Sequence, residues 1–148
     1  MTFDFEEIPR DLLSSIAPTD SIVIGISEDV KLPCKGVSAI FRQRYANHLL
    51  QVQAQRKTLG QIAMTIHEQR HIFYLIMRHK LYNKPRFIDL ETCLIELRKS
   101  CERNGIKTLA LSREQGTGFE GFPEKHMKEL LFTVFDGWHG KLMMYTGS

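Results

Sequence analysis

Two short stretches of this chain hold residue types and spacings suited to binding an anion. Gly116-Thr117-Gly118-Phe119-Glu120-Gly121 matches G-x-G-x-x-G, follows a strand-like run and precedes a helical one. Consecutive backbone N–H groups in such a loop, aimed at a helix start, form a concave donor site for phosphate oxygens. A dinucleotide fold also needs an acidic residue at the end of the next strand, about twenty residues on. That strand ends here in Tyr145-Thr146-Gly147-Ser148, so the dinucleotide reading fails. A phosphate cradle remains, beside the plainer reading of a Gly-rich connection. Cys34-Lys35-Gly36-Val37-Ser38 is a second loop running into a helix start. Two cradles after two neighbouring strands would suit a pyrophosphate, at the carboxyl ends of the strands where open α/β sheets hold their ligands.

A third stretch, His67-Glu68-Gln69-Arg70-His71, matches the zinc-protease pattern H-E-x-x-H. That chemistry needs two His on one face of a helix beside a general-base Glu. Here the motif lies between Ile62-Ala63-Met64-Thr65-Ile66 and Ile72-Phe73-Tyr74-Leu75-Ile76, runs of β character. A solvated hairpin turn is the better account, and no metal site is expected.

The elements that must position these loops can be read from apolar periodicity. Ser21 to Ile26 is an interior strand, and Gly36 to Tyr45 a helix carrying Val37, Ile40 and Phe41 at helical spacing. His48 to Lys57 reads as a weakly amphipathic helix stopped near Gly60. Gln61 to Thr65 and Ile72 to Met77 form a hairpin. Leu90, Cys93, Leu94, Leu97 and Cys101 recur at steps of three and four up to Asn104-Gly105, the clearest helix in the chain. Lys107 to Leu111 is a strand, a helix opening near Pro123 should bury Met127, Leu130, Leu131 and Val134, and Gly140 to Tyr145 closes as a strand. Alternating strands and helices with one central hairpin predict an α/β fold, a sandwich around a mixed sheet, in a single domain over residues 1–148.

Composition agrees with that class and narrows the partners. The chain has 148 residues, 43% hydrophobic and 25% charged, enough to bury one core. Its net charge of +3 is spread along the chain, unlike the clustered footprint of a dedicated DNA binder. No apolar run reaches the roughly 18 residues of a membrane span, and the acidic start, Asp4-Phe5-Glu6-Glu7, is unlike a secretory leader. Three cysteines without a CxxC point away from disulfides and zinc, and Cys93 and Cys101 share one buried helical stripe. A soluble intracellular protein, in nucleus or cytoplasm, is expected.

Taken in order, several of these pieces resemble a known family. Thr19-Asp20-Ser21, Ile26-Ser27-Glu28-Asp29, the loop ending in Gly36, Tyr74-Leu75-Ile76, Lys84-Pro85, Arg113, Gly116-Thr117-Gly118 and Tyr145-Thr146 look like the terminal ADP-ribose protein glycohydrolase branch of the macro domains. The likeness runs from about residue 10 to the end. It implies a three-layer α/β/α fold holding ADP-ribose across the two loops, with no cofactor. By position, Asp11 would accept from the adenine amino group. Gly36, Val37 and Ser38 would line one side of the diphosphate, Gly116, Thr117, Gly118 and Phe119 the other, and Tyr145 would lie near the adenosine.

The family's hydrolytic branch releases ADP-ribose from glutamyl esters and deacylates O-acyl-ADP-ribose, using a Lys nucleophile, an Asp acid/base and a Ser. The resemblance places Ser27 at the Ser, Arg78 at the Lys and Glu120 at the Asp. A guanidinium is not deprotonated in proteins, so Arg78 can grip a phosphate or carboxylate but cannot act covalently. Lys80 would be displaced by about 6.6 Å along an extended strand, too far to substitute. Glu120 keeps a carboxylate able to serve as general base for a water. Two readings follow: an ADP-ribosyl-ester hydrolase with Glu120 and Ser27 as its catalytic residues, or a degenerate ADP-ribose reader. A basic nucleic-acid-binding module, suggested by Met77-Arg78-His79-Lys80, is the rival from another class. The expected partner is ADP-ribose or an ADP-ribosylated protein met by a monomer, with no membrane and no nucleic acid involved.

Overall fold

Seven consecutive buried residues make strand β2 (Ser21–Ser27) the centre of the structure, a computed structural model that describes residues 3–147. A strand buried on both faces must have a helical layer on each side, and this one does. The elements run β1 (Asp4–Ile8), α1 (Leu12–Ser15), β2, α2 (Gly36–Arg44), α3 (Ala46–Gln55), β3 (Ile62–His67), β4 (Arg70–Arg78), α4 (Phe87–Asn104), β5 (Thr108–Ser112), α5 (Glu124–Phe135) and β6 (Lys141–Tyr145). The strands form one sheet in the order β1-β6-β5-β2-β4-β3. Neighbours are parallel except the edge strand β3, antiparallel to β4.

The two-residue alternation of β2 and β4 divides the core. Val23, Phe73, Leu75 and Met77 face α4 and α5, joined by Leu94, Leu97, Met127 and Leu131. Ile22, Ile24, Ile26, Ile72, Tyr74 and Ile76 face the other way, against α1, α2 and α3 through Leu12, Phe41 and Val52. The result is the expected three-layer α/β/α sandwich around a mixed sheet. Among the described residues no helix is long and apolar enough to cross a membrane.

Several local expectations shift. Ile40, at helical spacing with Val37 and Phe41, is 44% exposed, because the stripe that reaches the sheet passes through Val37, Ser38 and Phe41. On α5 the last buried position is Phe135, not Val134, which is only partly covered. Strand β1 lies outside the expected elements: Ile8 is buried and Phe5 packs half-covered against Phe132, but Asp4, Glu6 and Glu7 are exposed, and the acidic segment is held by parallel pairing with β6.

The H-E-x-x-H match falls on the β3–β4 hairpin, whose turn is Glu68-Gln69. His67 pairs with Arg70 and His71 with Ile66, which sends the two His to opposite faces of the sheet. His67 Nδ1 meets His48 Nε2 at 3.0 Å on one side, while His71 stacks on Phe73 on the other. One helical face, the condition for zinc chemistry, is absent from this motif.

Cys93 and Cys101 lie inside the α4 face at 0% and 1% exposure, and burial pushes both thiols up to about 12. Cys34 is exposed. With Ellman's reagent at about pH 8, one thiol should react in the folded protein and all three after denaturation; a second fast thiol in the folded state would contradict this burial.

Candidate functional site

Parallel pairing of β2 with β5 puts the two glycine loops side by side at the carboxyl edge of the sheet. The segment 28–35 leaves β2 and leads into α2, and the segment 113–123 leaves β5 and leads into α5. The loops touch directly. The Val37 N–H donates to Gln115 O at 3.0 Å, and the Ser38 hydroxyl donates to Gly116 O. Beneath them the Gly25 N–H of β2 donates to Thr117 O at 3.0 Å. Glycine is required at the contact: a Cβ on Gly36, at φ +60°, would collide with Gln115 O, and one on Gly116, at φ +96°, would stand 2.6 Å from Lys35 O.

The second loop closes on an anion of its own. The Gly116 N–H donates to Glu120 Oε2 at 2.7 Å, the Gly118 N–H to Glu120 Oε1 at 2.9 Å, and the Thr117 hydroxyl to Oε1 at 3.4 Å. Bonds from neutral amides to a carboxylate are charge-assisted, so this arrangement orders the loop. Phe119 and Val37 contribute backbone here, because their side chains are buried in the cores on opposite faces of the sheet.

Beside this loop opens a cavity of about 370 Å³, lined among others by Lys35, Arg78, Lys84, Gly118, Glu120 and Phe122. Three cations and one carboxylate on its wall favour an anionic or strongly polar occupant. Arg78 ends β4 directly opposite Ser27 in the ladder, at a register shift between Ile26 and Ser27. Burial pulls its guanidinium below the usual arginine value, against the opposing pull of Glu120 and Asp29. Its buried Nε has no hydrogen-bond partner among the described residues. Ser27 is fully buried, and its hydroxyl donates to Asp29 Oδ1 while accepting the Lys31 N–H at 3.1 Å.

At the other end of the paired loops, Asp11 caps α1 by accepting the Ser14 N–H at 3.0 Å. Next to it Glu114 accepts the Leu12 N–H at 3.1 Å and the Ser112 hydroxyl at 2.6 Å. The two carboxyls are pushed apart. Burial raises Glu114, with Asp11 adding to the rise. Burial would also raise Asp11, but hydrogen bonds from Ser14 and Glu114 outweigh it and hold Asp11 below the usual carboxylate value. Asp11 therefore stays ionised, as an acceptor should. Tyr145, at the end of β6, is 2% exposed, and its carbonyl accepts the Arg113 N–H at 2.9 Å.

Known structures share this fold. The chain superposes on the macrodomain of Mycobacterium tuberculosis DarG with a TM-score of 0.83, covering 99% of both chains at 18% identity. The chain has the macrodomain fold. The macrodomain of Thermus aquaticus DarG follows at 0.78, covering 97% of each chain at 17% identity. Thermosipho africanus DarTG in complex with ADP-ribose matches at 0.80, over 97% of this chain and 41% of that one, at 12% identity. In sequence, the chain is 27% identical to the ADP-ribose glycohydrolase OARD1 of Homo sapiens over 128 residues, 86% of this chain and 82% of the relative. OARD1 of Bos taurus matches at the same level, and no family model matches.

The fold thus brings the expected residues to one edge of the sheet in three groups: Asp11 and Tyr145 at one end, the loop residues 36–38 and 116–119 between, and Ser27, Arg78 and Glu120 at the other. Sequence reasoning passed over Glu114, Lys35 and the cavity wall at Phe122. Glu114 had one signal, its place between Ser112 and the glycine loop, and Lys35 had its place in the first cradle; Phe122 had none, since only the fold sets it beside Arg78. Gly116→Ala adds a methyl group against Lys35 O at a positive φ. It is expected to lower stability by about 1–3 kcal/mol, read from urea unfolding; an unchanged midpoint would show that the loops can separate freely.

Proposed function

We propose that this macrodomain binds ADP-ribose across the paired loops and hydrolyses ADP-ribosyl esters in the cavity beside Arg78. The observation that carries the reading is the direct juxtaposition of two Gly loops after adjacent parallel strands, with an ionised acceptor at one end and a cationic cavity at the other. The sequence likeness to ADP-ribose glycohydrolase OARD1, and the likeness in fold to DarTG in complex with ADP-ribose, support it. Asp11 would accept from the adenine amino group, with Tyr145 near the adenosine. Residues Gly36, Val37 and Ser38 would line one side of the diphosphate and Gly116, Thr117, Gly118 and Phe119 the other. The distal ribose and its acyl group would enter the cavity.

Catalysis in this scheme is by water. With Arg78 in place of an amine nucleophile, no covalent intermediate can form at that position. Glu120 takes a proton from a water whose oxygen attacks the ester carbonyl carbon. Collapse of the tetrahedral species breaks the bond to the ribose oxygen, which receives that proton. The products are free ADP-ribose and a carboxylic acid that ionises to solvent. Arg78 steadies the negative charge on the carbonyl oxygen, and Ser27 holds the 27–31 turn beside it through Asp29 and Lys31.

A reader without turnover is the second reading, favoured by one observation: both the Ser27 hydroxyl and the Glu120 carboxylate are engaged inside the protein. In either case the protein is proposed to act as a monomer on ADP-ribosylated protein within the cell, in nucleus or cytoplasm. Its three free cysteines suit a reducing compartment.

Calorimetric titration should show ADP-ribose binding at one-to-one stoichiometry; failure to bind would overturn the whole reading. On glutamate-linked ADP-ribosylated protein and O-acetyl-ADP-ribose, Glu120→Gln should turn over about 10²–10⁴-fold more slowly than the unsubstituted protein. Equal rates would leave the reader.

A further inference from the structure

Two of the backbone donors that the ADP-ribose reading reserves for the diphosphate already have an acceptor within the chain. Gly116 and Gly118 each give their N–H to a different oxygen of the Glu120 carboxylate, at 2.7 and 2.9 Å. A planar carboxylate with two oxygens held by two converging amides is bound as two oxygens of a phosphate would be. We propose that Glu120 is a resident phosphate mimic: it closes the second loop around itself in the free protein, is displaced when a diphosphate enters, and is thereby delivered into the cavity beside Arg78. This inference rests on the ADP-ribose reading and adds to it a step that couples binding to placement of the base.

Three observations support the coupling. First, an N–H directed at Glu120 has one proton to give, so carboxylate and diphosphate cannot both hold the same donors, and like charge drives them apart. Second, the space open to the displaced side chain is on the same loop: Glu120, Gly118 and Arg78 all line the 370 Å³ cavity. Third, cationic partners stand there: Arg78, Lys35 and Lys84 all line the same cavity. While Glu120 holds the loop amides, its oxygens are bonded and poorly placed to take a proton from water. Once displaced, the carboxylate faces the cavity into which the ester is proposed to enter. Turnover of unmodified esters, which bring no diphosphate, is suppressed by the same device. Self-occupancy also lowers the affinity for ADP-ribose, since only the open fraction can bind.

The experiment compares the unsubstituted protein with Glu120→Ala and Glu120→Gln, each checked for an unchanged thermal transition. Calorimetry with ADP-ribose is expected to show Glu120→Ala binding about tenfold tighter or more. Glu120→Gln, which keeps the shape and loses the charge, should fall between. In ¹H–¹⁵N spectra of the ligand-free proteins, the Gly116 and Gly118 amides should differ between the unsubstituted protein and Glu120→Ala, then converge once ADP-ribose saturates both. Binding by Glu120→Ala that is equal to or weaker than that of the unsubstituted protein would overturn the mimic while leaving the ADP-ribose reading intact. If no form binds ADP-ribose, that reading falls, and inorganic pyrophosphate then decides the mimic alone. Shifts of the two amides at lower pyrophosphate concentration in Glu120→Ala would support it, and identical titrations would reject it.

Discussion

The seam between two backbone segments, Lys35 to Ser38 and Gln115 to Gly116, is the constraint from which the site follows. Parallel adjacency of β2 and β5 brings the loops together, but adjacency alone would leave two separate bends. Fusion comes from the absence of side chains at Gly36 and Gly116, which lets Val37 N–H reach Gln115 O and the Ser38 hydroxyl reach Gly116 O. A Cβ at either glycine would collide with the backbone of the facing loop, so neither contact survives without a shift of one loop.

Charge is distributed along that seam with a clear polarity. One end holds two carboxyls that diverge, Glu114 raised by burial and Asp11 lowered by hydrogen bonds from Ser14 and Glu114. The other gathers Lys35, Arg78 and Lys84 about a single carboxylate. Between them lie backbone amides, which contribute partial positive charge without titrating. A ligand with a hydrogen-bond donor at one end, a diphosphate in the middle and an electrophilic ester at the other matches this order. The guanidinium at position 78 limits what that side chain can do: an always-charged group stabilises an anion but cannot attack a carbon.

Much of this is legible in the sequence. The α4 stripe from Leu90 to Cys101, the β3–β4 hairpin and the interior run of β2 all follow from periodicity, because burial on one or two faces writes itself directly into residue order. The same logic set aside the H-E-x-x-H match, since His67 and His71 on a hairpin cannot share a helical face. Where periodicity failed, a tertiary cause is visible. Strand β1 has only Ile8 buried and exists through its pairing with β6. Ile40 fits the helical spacing but faces outward, because α2 docks through Ser38, whose hydroxyl is drawn to the second loop.

The candidate site divides along the same line. Residue order alone carried the two glycine loops, their position after strands, and the chemical incapacity of Arg78 as a nucleophile, since each is a property of local backbone or of one functional group. Which donors are free, and what holds them, depended on how the chain folds back on itself. No spacing rule says that Glu120 reaches Gly116 and Gly118, that Ser27 turns to Asp29, or that Arg78 ends opposite Ser27 with its Nε unmatched. Those are matters of through-space distance between segments remote in sequence or folded tightly within one loop, and distance is set only when the sheet and both helical layers have closed.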